Sequence, residues 1–289
     1  MPNQRAKPTL RRRRLGGLLR DSRIKSGQTL EAAAAHMGWD HTKLSKIEHA
    51  RAHIAPRDIA PLMNGYGVTD EVVISALEAL AKDAGRRGWW ATYGDVAASG
   101  YTDLISLEAD ADSVRFYSPT LVPGLLQTGG YARQIIAATA VTRSTEEVEA
   151  LASIRIARQS VLSRLGKPLK LRVVIDEAAL RHKFPGAADV MREQMARLLD
   201  VSANPNVIIQ IMPLGAGPHP GLAGMFGIVG FQYPWPTVVS LESVRGSSFV
   251  EGTDDVAIFE DCFDRITAAA LPVGESREVM KKIMEEMKT

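Results

Sequence analysis

Apolar positions recur along this chain at two periods, and the change of period divides it in two. From Thr9 to Ala84 the spacing is helical. Leu15, Leu18, Leu19 and Ile24 mark the buried stripe of a first helix over 9–25. A second helix over 29–37 opens on Thr29, whose hydroxyl can accept a backbone N–H left unpaired in the first turn. It continues through Ala32 to Ala35, strong helix formers with little bulk, so another helix can approach closely. Gly38 follows, where a left-handed cap favours a residue without Cβ. Asp40 then caps a third helix over 41–49. Leu44 and Ile47 share its inner face, and His41, Thr42, Ser45, Lys46 and His49 are left outward. Pro56 suits the first turn of a fourth helix to Asn64, Gly65-Tyr66-Gly67 ends it, and a fifth spans 70–84. Two short helices joined by a glycine-bearing turn form the helix-turn-helix pattern. In that motif the second helix enters the DNA major groove, its N-terminal residues on base edges. An ordinary helical hairpin with a solvated polar face carries the same pattern.

Further along, short apolar runs alternate with helical ones. The pattern predicts a helix over 104–113, an extended piece over 114–117 and a turn at Pro123-Gly124. Leu121, Val122, Leu125 and Leu126 bury around that turn, and Thr128 or Gly129 caps a helix over 131–139. A long helix over 146–165 places Arg155, Arg158 and Gln159 on one face. Strands follow at 171–175, 207–212, 226–231, 237–242 and 248–251, with helices at 187–201, 254–270 and 276–288. The later strands are hairpin-spaced, which favours a largely antiparallel sheet flanked by helices. The expected architecture is an N-terminal five-helix helix-turn-helix domain over 9–84, then a C-terminal α+β domain over 104–289 with a mostly antiparallel sheet. Residues 1–8 read as a disordered arm and 85–103 as a connector, in which Trp89 and Trp90 either pack the domains together or form a stacking platform for nucleic acid.

Charge sharpens the N-terminal reading. Residues 1–58 hold 13 Lys and Arg against 5 Asp and Glu, whereas the remainder holds 22 against 28. A basic module joined to an acidic domain fits a nucleic-acid partner. Arg11 to Arg14 open the first helix, where positive charge opposes the macrodipole, so a polyanion such as the DNA backbone is their natural use. Arg11 and Arg12 are therefore candidate phosphate contacts.

GQTLEAAAAHMGWDHTKLSKIEHARAHIAPRDI resembles the DNA-binding domain of the XRE, phage-repressor-like, helix-turn-helix regulators. The resemblance implies that His41 and Thr42 read bases, with Lys46 one turn along the same face, and that Lys43 and Arg51 meet phosphate. Phage repressors often open the second helix with a glutamine that clamps phosphate. Leu30 stands there in this chain, which leaves Gln28 or a backbone N–H for that task. LVPGLLQT-x-x-YAR, with RRGWW…YGD before it and RIARQ after it, resembles the WhiJ-like group of regulators from filamentous actinobacteria. Such regulators are typically encoded beside a small partner protein, in an arrangement likened to toxin–antitoxin pairs. They are tied to control of sporulation or antibiotic production. The resemblance implies double-stranded DNA as partner, a homodimer, and a small partner protein for the C-terminal domain.

A second expectation for that domain is a small-molecule effector. Polar Gln127 and Tyr131 among buried neighbours, Arg155 and Arg158, and His219 of the glycine-rich loop 215–224 are candidate pocket residues. The same polar groups also suit the satisfaction of backbone groups. That loop lacks the Gly-Lys-Ser/Thr of a phosphate loop, no G-x-S-x-G occurs, and adjacent Asp176 and Glu177 diverge, so no enzyme, cofactor or metal is expected. A single cysteine, Cys262, gives neither a disulfide nor a zinc cluster. No apolar run is of membrane-spanning length, and the expected location is cytoplasmic.

Overall fold

The computed structural model describes residues 9–84, 96–139, 144–187, 189–243 and 246–287. Trp89, Trp90 and the N-terminal arm lie outside the described residues. The chain divides into two compact units, Met1–Trp89 and Trp90–Thr289.

Among its described residues the first unit is helical: α1 Leu10–Lys25, α2 Leu30–His36, α3 His41–Glu48, α4 Ile59–Gly65 and α5 Glu71–Asp83, with a 3-10 turn, Pro56–Asp58, before α4. Its starts are set by side-chain caps. Thr9, Thr29, Asp40 and Asp70 each accept a backbone N–H of the following first turn. Gly38 takes a left-handed φ of 63° after α2, as its position requires. Leu19, Ala33, Ala34, Leu44, Ile47, Ile59 and Leu62 form the core. The Thr9 hydroxyl donates to the Ala84 carbonyl at 2.9 Å and ties the two ends of the unit. One residue expected in the stripe is not buried: Ile24 is 54% exposed.

The second unit is built on a six-stranded sheet: β1 Ser113–Ser118, β2 Lys170–Asp176, β3 Val207–Met212, β4 Phe226–Gly230, β5 Val238–Ser243 and β6 Gly246–Val250. The strand order is β3-β2-β1-β4-β5-β6. β1, β2 and β3 are parallel neighbours, and β1–β4, β4–β5 and β5–β6 are antiparallel. The piece 114–117 is thus a central strand of the sheet. Helices α6 Ser99–Asp110, α7 Gly129–Thr139, α8 Thr145–Ala157, α9 Asp189–Val201, α10 Thr253–Ala269 and α11 Val273–Glu286 flank it.

Two apolar clusters hold the helices in place. Tyr117, Val174, Phe226, Ile228 and Val239 of the sheet pack with Val256, Phe263 and Ile266 of α10. Ile105, Ala132, Ile136, Leu151 and Ile154 join α6, α7 and α8. Edge strand β3 is covered: Ile211 N–H donates to Ser276 Oγ at 2.9 Å, and Leu271 N–H to Ile211 O at 2.9 Å. Several boundaries differ from expectation. α6 spans Ser99–Asp110 rather than 104–113, so it begins inside the stretch read as connector, and a Cβ on its Gly100 would stand 2.6 Å from the Ser247 carbonyl. The long helix expected to 165 leaves α-geometry after Ala157 and tightens into a 3-10 turn, Arg158–Leu162.

Candidate nucleic-acid interface and C-terminal cavity

On α3 the expected polar face is outward. His41, Thr42, Lys43, Lys46 and His49 are exposed, and Ser45 is half-buried. Asp40 Oδ1 accepts the Thr42 N–H at 2.7 Å, which pins the helix start; the Thr42 side chain, and then this N–H, hold the Asp40 carboxyl below the usual carboxylate range. Lys43 Nζ lies 3.8 Å from the Trp39 ring centroid, a cation–π contact that steadies it. Ala50 adopts a left-handed φ of 59° and ends α3, with exposed Arg51 next along the chain.

Three expected phosphate residues sit differently. Gln28 Nε2 donates to the Gly65 carbonyl at 2.6 Å, so its amide is spent inside the unit rather than presented to a backbone phosphate. Arg11 and Arg12 are half-buried, and Arg14 is buried; of the four arginines opening α1 only Arg13 is exposed. One turn of helix points four successive side chains in different directions, and α1 packs that turn inward.

The same unit holds a pair that pattern reading passed over. Arg23 makes a two-pronged contact with Glu48, Nε to Oε1 at 2.7 Å and Nη2 to Oε2 at 2.9 Å, and its Nη1 donates to the Gln28 carbonyl at 2.9 Å. Glu48 is 5% exposed. It follows Leu44 by four residues, on the buried face, and a charge in that position was the available signal. The bridge fixes the end of α3 to α1.

In the second unit the Pro123-Gly124 turn lies beside an open cavity of about 690 Å³. Gln127, Arg155 and Arg158 line it. Gln127 is buried, donates from Nε2 to the Val122 carbonyl at 2.6 Å, and accepts from Arg155 Nη1 at 3.0 Å. Gln159 braces the turn by donating to the carbonyls of Gly124 and Gln127 at 3.0 and 2.7 Å. Arg158 and Glu108 form a buried ion pair, with Nε and Oε2 2.7 Å apart. Burial pushes the Glu108 carboxyl up to about 7, Arg158 pulls it back, and Glu242 pushes it further up. Glu108 follows Leu104 by four residues on the buried side of α6, the same legible signal as Glu48. Gly124 makes room for Arg158: a Cβ there would stand 2.8 Å from Nη2.

Tyr131 is not a lining residue. It is fully buried under the turn, its hydroxyl accepting the Val122 N–H at 3.1 Å. Gln194 was missed altogether. Fully buried on α9, it donates to the Leu126 carbonyl and accepts the Thr128 N–H, both at 2.8 Å. The apolar positions Met191, Met195 and Leu198 place it on the inner face.

His219 belongs to another place. It lines a separate recess of about 310 Å³ with Asp176, Met212 and Leu222, at the C-terminal ends of β2 and β3. The expectation that the glycine-rich loop and the LVPGLLQT turn frame one pocket is therefore corrected. The loop folds over Tyr117, whose ring would meet a Cβ on Gly221 at 2.4 Å. Asp176 and Glu177, expected to diverge, both line this recess. Asp176 stands near Tyr117 and His219, whereas Glu177 pairs with Arg181 at 2.7 Å. Among the described residues no three His, Cys, Asp or Glu are grouped to hold a metal, and no helix is long and apolar enough to cross a membrane.

Capped helices, a glycine turn and an outward polar face on α3 define a helix-turn-helix protein, and residues 14–77 match a helix-turn-helix domain. That match supports a DNA-binding regulator. Residues 101–282, more than half the chain, match a domain of unknown function (DUF5753), and the chain belongs to that family. No curated protein matches it.

Proposed function

We propose that this protein is a sequence-specific regulator of transcription of the XRE type, WhiJ-like in its C-terminal domain, acting on double-stranded DNA as a homodimer. The observation that carries the reading is the exposed start of α3 inside a matched helix-turn-helix domain. His41 and Thr42 occupy its first turn, where groove-facing residues contact base edges. Lys46 follows on the same face, and Lys43 and Arg51 are exposed beside it as phosphate partners. Of the four arginines that open α1, the exposed one, Arg13, takes the place of Arg11 and Arg12 as a candidate phosphate contact. The C-terminal domain, acidic and marked by the LVPGLLQT turn, receives a small partner protein in an antitoxin-like arrangement. The protein acts in the cytoplasm and catalyses no reaction.

Selection of the full-length protein on a random double-stranded DNA library at near-physiological salt tests this reading. The expected outcome is an enriched two-fold-symmetric site with half-sites about 34–36 Å apart. Enrichment of an asymmetric single site would remove the dimer. Absence of any enrichment would remove sequence-specific recognition by the protein alone.

A second reading is favoured by one observation, the 690 Å³ cavity. Its size and largely apolar lining suit a small-molecule effector, within the range of about 300–1,000 Å³ usual for ligand sites. Under that reading the C-terminal domain senses a metabolite and adjusts DNA binding.

A further inference from the structure

We propose that the cavity beside the Pro123-Gly124 turn takes a small amphiphilic anion, an apolar body ending in a carboxylate or similar group, with Arg155 as its anchor. The proposal rests on the effector reading and names the class of ligand. Phe116, Leu121, Ile135, Ile136, Leu151 and Met225 make most of the cavity wall apolar. The polar groups in it are nearly all committed. Arg158 faces Glu108. Gln127 is shared between Val122 and Arg155. Ser118 Oγ donates to the Leu121 carbonyl and Thr139 Oγ1 to the Ile135 carbonyl.

Two are left, the Tyr101 hydroxyl, buried without a hydrogen-bond partner among the described residues, and Arg155. Arg155 is half-buried, and among the described residues its one hydrogen-bond acceptor is Gln127 and no carboxylate stands within ion-pair distance. A guanidinium carries five N–H donors in a fixed fork that matches a carboxylate. Gln127, 3% exposed, holds one branch of that fork and so aims the rest. A cationic ligand would meet Arg155, since Arg158 is matched by Glu108. The lining carboxylate, Glu242, is solvent-exposed, and its charge acts on Arg158 and Glu108.

The test is calorimetric titration of the full-length protein with decanoate, decan-1-ol and decylammonium, which share one apolar body and differ in charge. Decanoate is expected to bind roughly tenfold or more tightly than the other two, the scale of one charge-assisted contact. Arg155→Met should erase that advantage and leave decan-1-ol binding unchanged, and Arg155→Lys should restore part of it. Leu121→Trp, which fills the cavity from a half-exposed position, should weaken all three. Equal decanoate affinity in wild type and Arg155→Met overturns the proposal, as does indifference to Leu121→Trp. Decan-1-ol binding that Leu121→Trp blocks, with no advantage for decanoate, removes the anion but keeps the effector reading. No binding of any of the three removes both, while the library selection judges DNA recognition independently.

Discussion

Two residues carry the most informative chemistry, one in each unit. Lys46 is exposed on α3, a turn beyond the helix start. If it reads a base edge, Lys46→Ala should cost about 1–3 kcal/mol on the selected site and relax preference at one base pair. Competition binding against single-base variants of the site measures this. A loss equal on all sequences, with a salt slope lowered by about one, would assign Lys46 to phosphate instead. Glu108 makes the other prediction. Burial raises its folded-state value to about 7 from an ordinary 4.5, so the folded chain holds a proton that the unfolded chain releases. Its contribution is therefore complete below the ordinary value and is lost as pH rises through 7, by up to about 3 kcal/mol. Urea denaturation at pH 5.5 and pH 8 should show wild type losing more stability across that interval than Glu108→Gln. Parallel behaviour of the two would mean that Glu108 ionises normally beside Arg158.

At the scale of elements, close approach decides what propensity does not. α1 carries two adjacent glycines with opposite surroundings. A Cβ on Gly16 would stand 2.6 Å from the Glu48 carbonyl oxygen and 2.7 Å from that of Ile47, whereas one on Gly17 would meet nothing within 4 Å. Gly16→Ala should destabilise the protein by about 1–3 kcal/mol by prising α1 from α3. Gly17→Ala should stabilise it by about 0.5–1 kcal/mol, the helix-propensity gain. Chemical denaturation of the two variants compares them directly, and shifts in the same direction would dismiss the packing account. The elements of the first unit were largely legible from their caps and spacing: Thr29, Gly38 and Asp40 bound α2 and α3 as expected. β1 was harder, because its buried residues, Val114, Tyr117 and Ser118, do not alternate with the half-buried Ser113, Arg115 and Phe116. Its pairing with β2 spans α7 and α8, a long-range contact that no local pattern encodes.

For the whole molecule, the effector and DNA readings meet in a linkage argument. If decanoate or a related anion binds the DNA-competent and DNA-incompetent forms unequally, it shifts operator affinity, typically by about 5–150-fold. By reciprocity the operator shifts anion affinity by the same factor. Titrating operator DNA with and without saturating decanoate, and decanoate with and without operator, should therefore return one coupling factor. An operator affinity indifferent to decanoate would leave the cavity a binding site without regulatory effect.

Period, caps and charge balance were enough to read a basic helix-turn-helix unit ahead of an acidic α+β unit. Those features act over a few residues, so a linear text carries them. The cavity and its chemistry needed the folded chain. Gln127, Arg155 and Arg158 meet only because the turn at Gly124 folds against the end of α8, and Glu108 reaches Arg158 from α6. His219 and the LVPGLLQT turn, both polar-marked in the text, fall in separate depressions because the loop is drawn over Tyr117. Which polar groups are spent and which remain available is a property of contacts between distant segments. Gln28 donates to the Gly65 carbonyl, whereas among the described residues Gln127 is the one acceptor of Arg155.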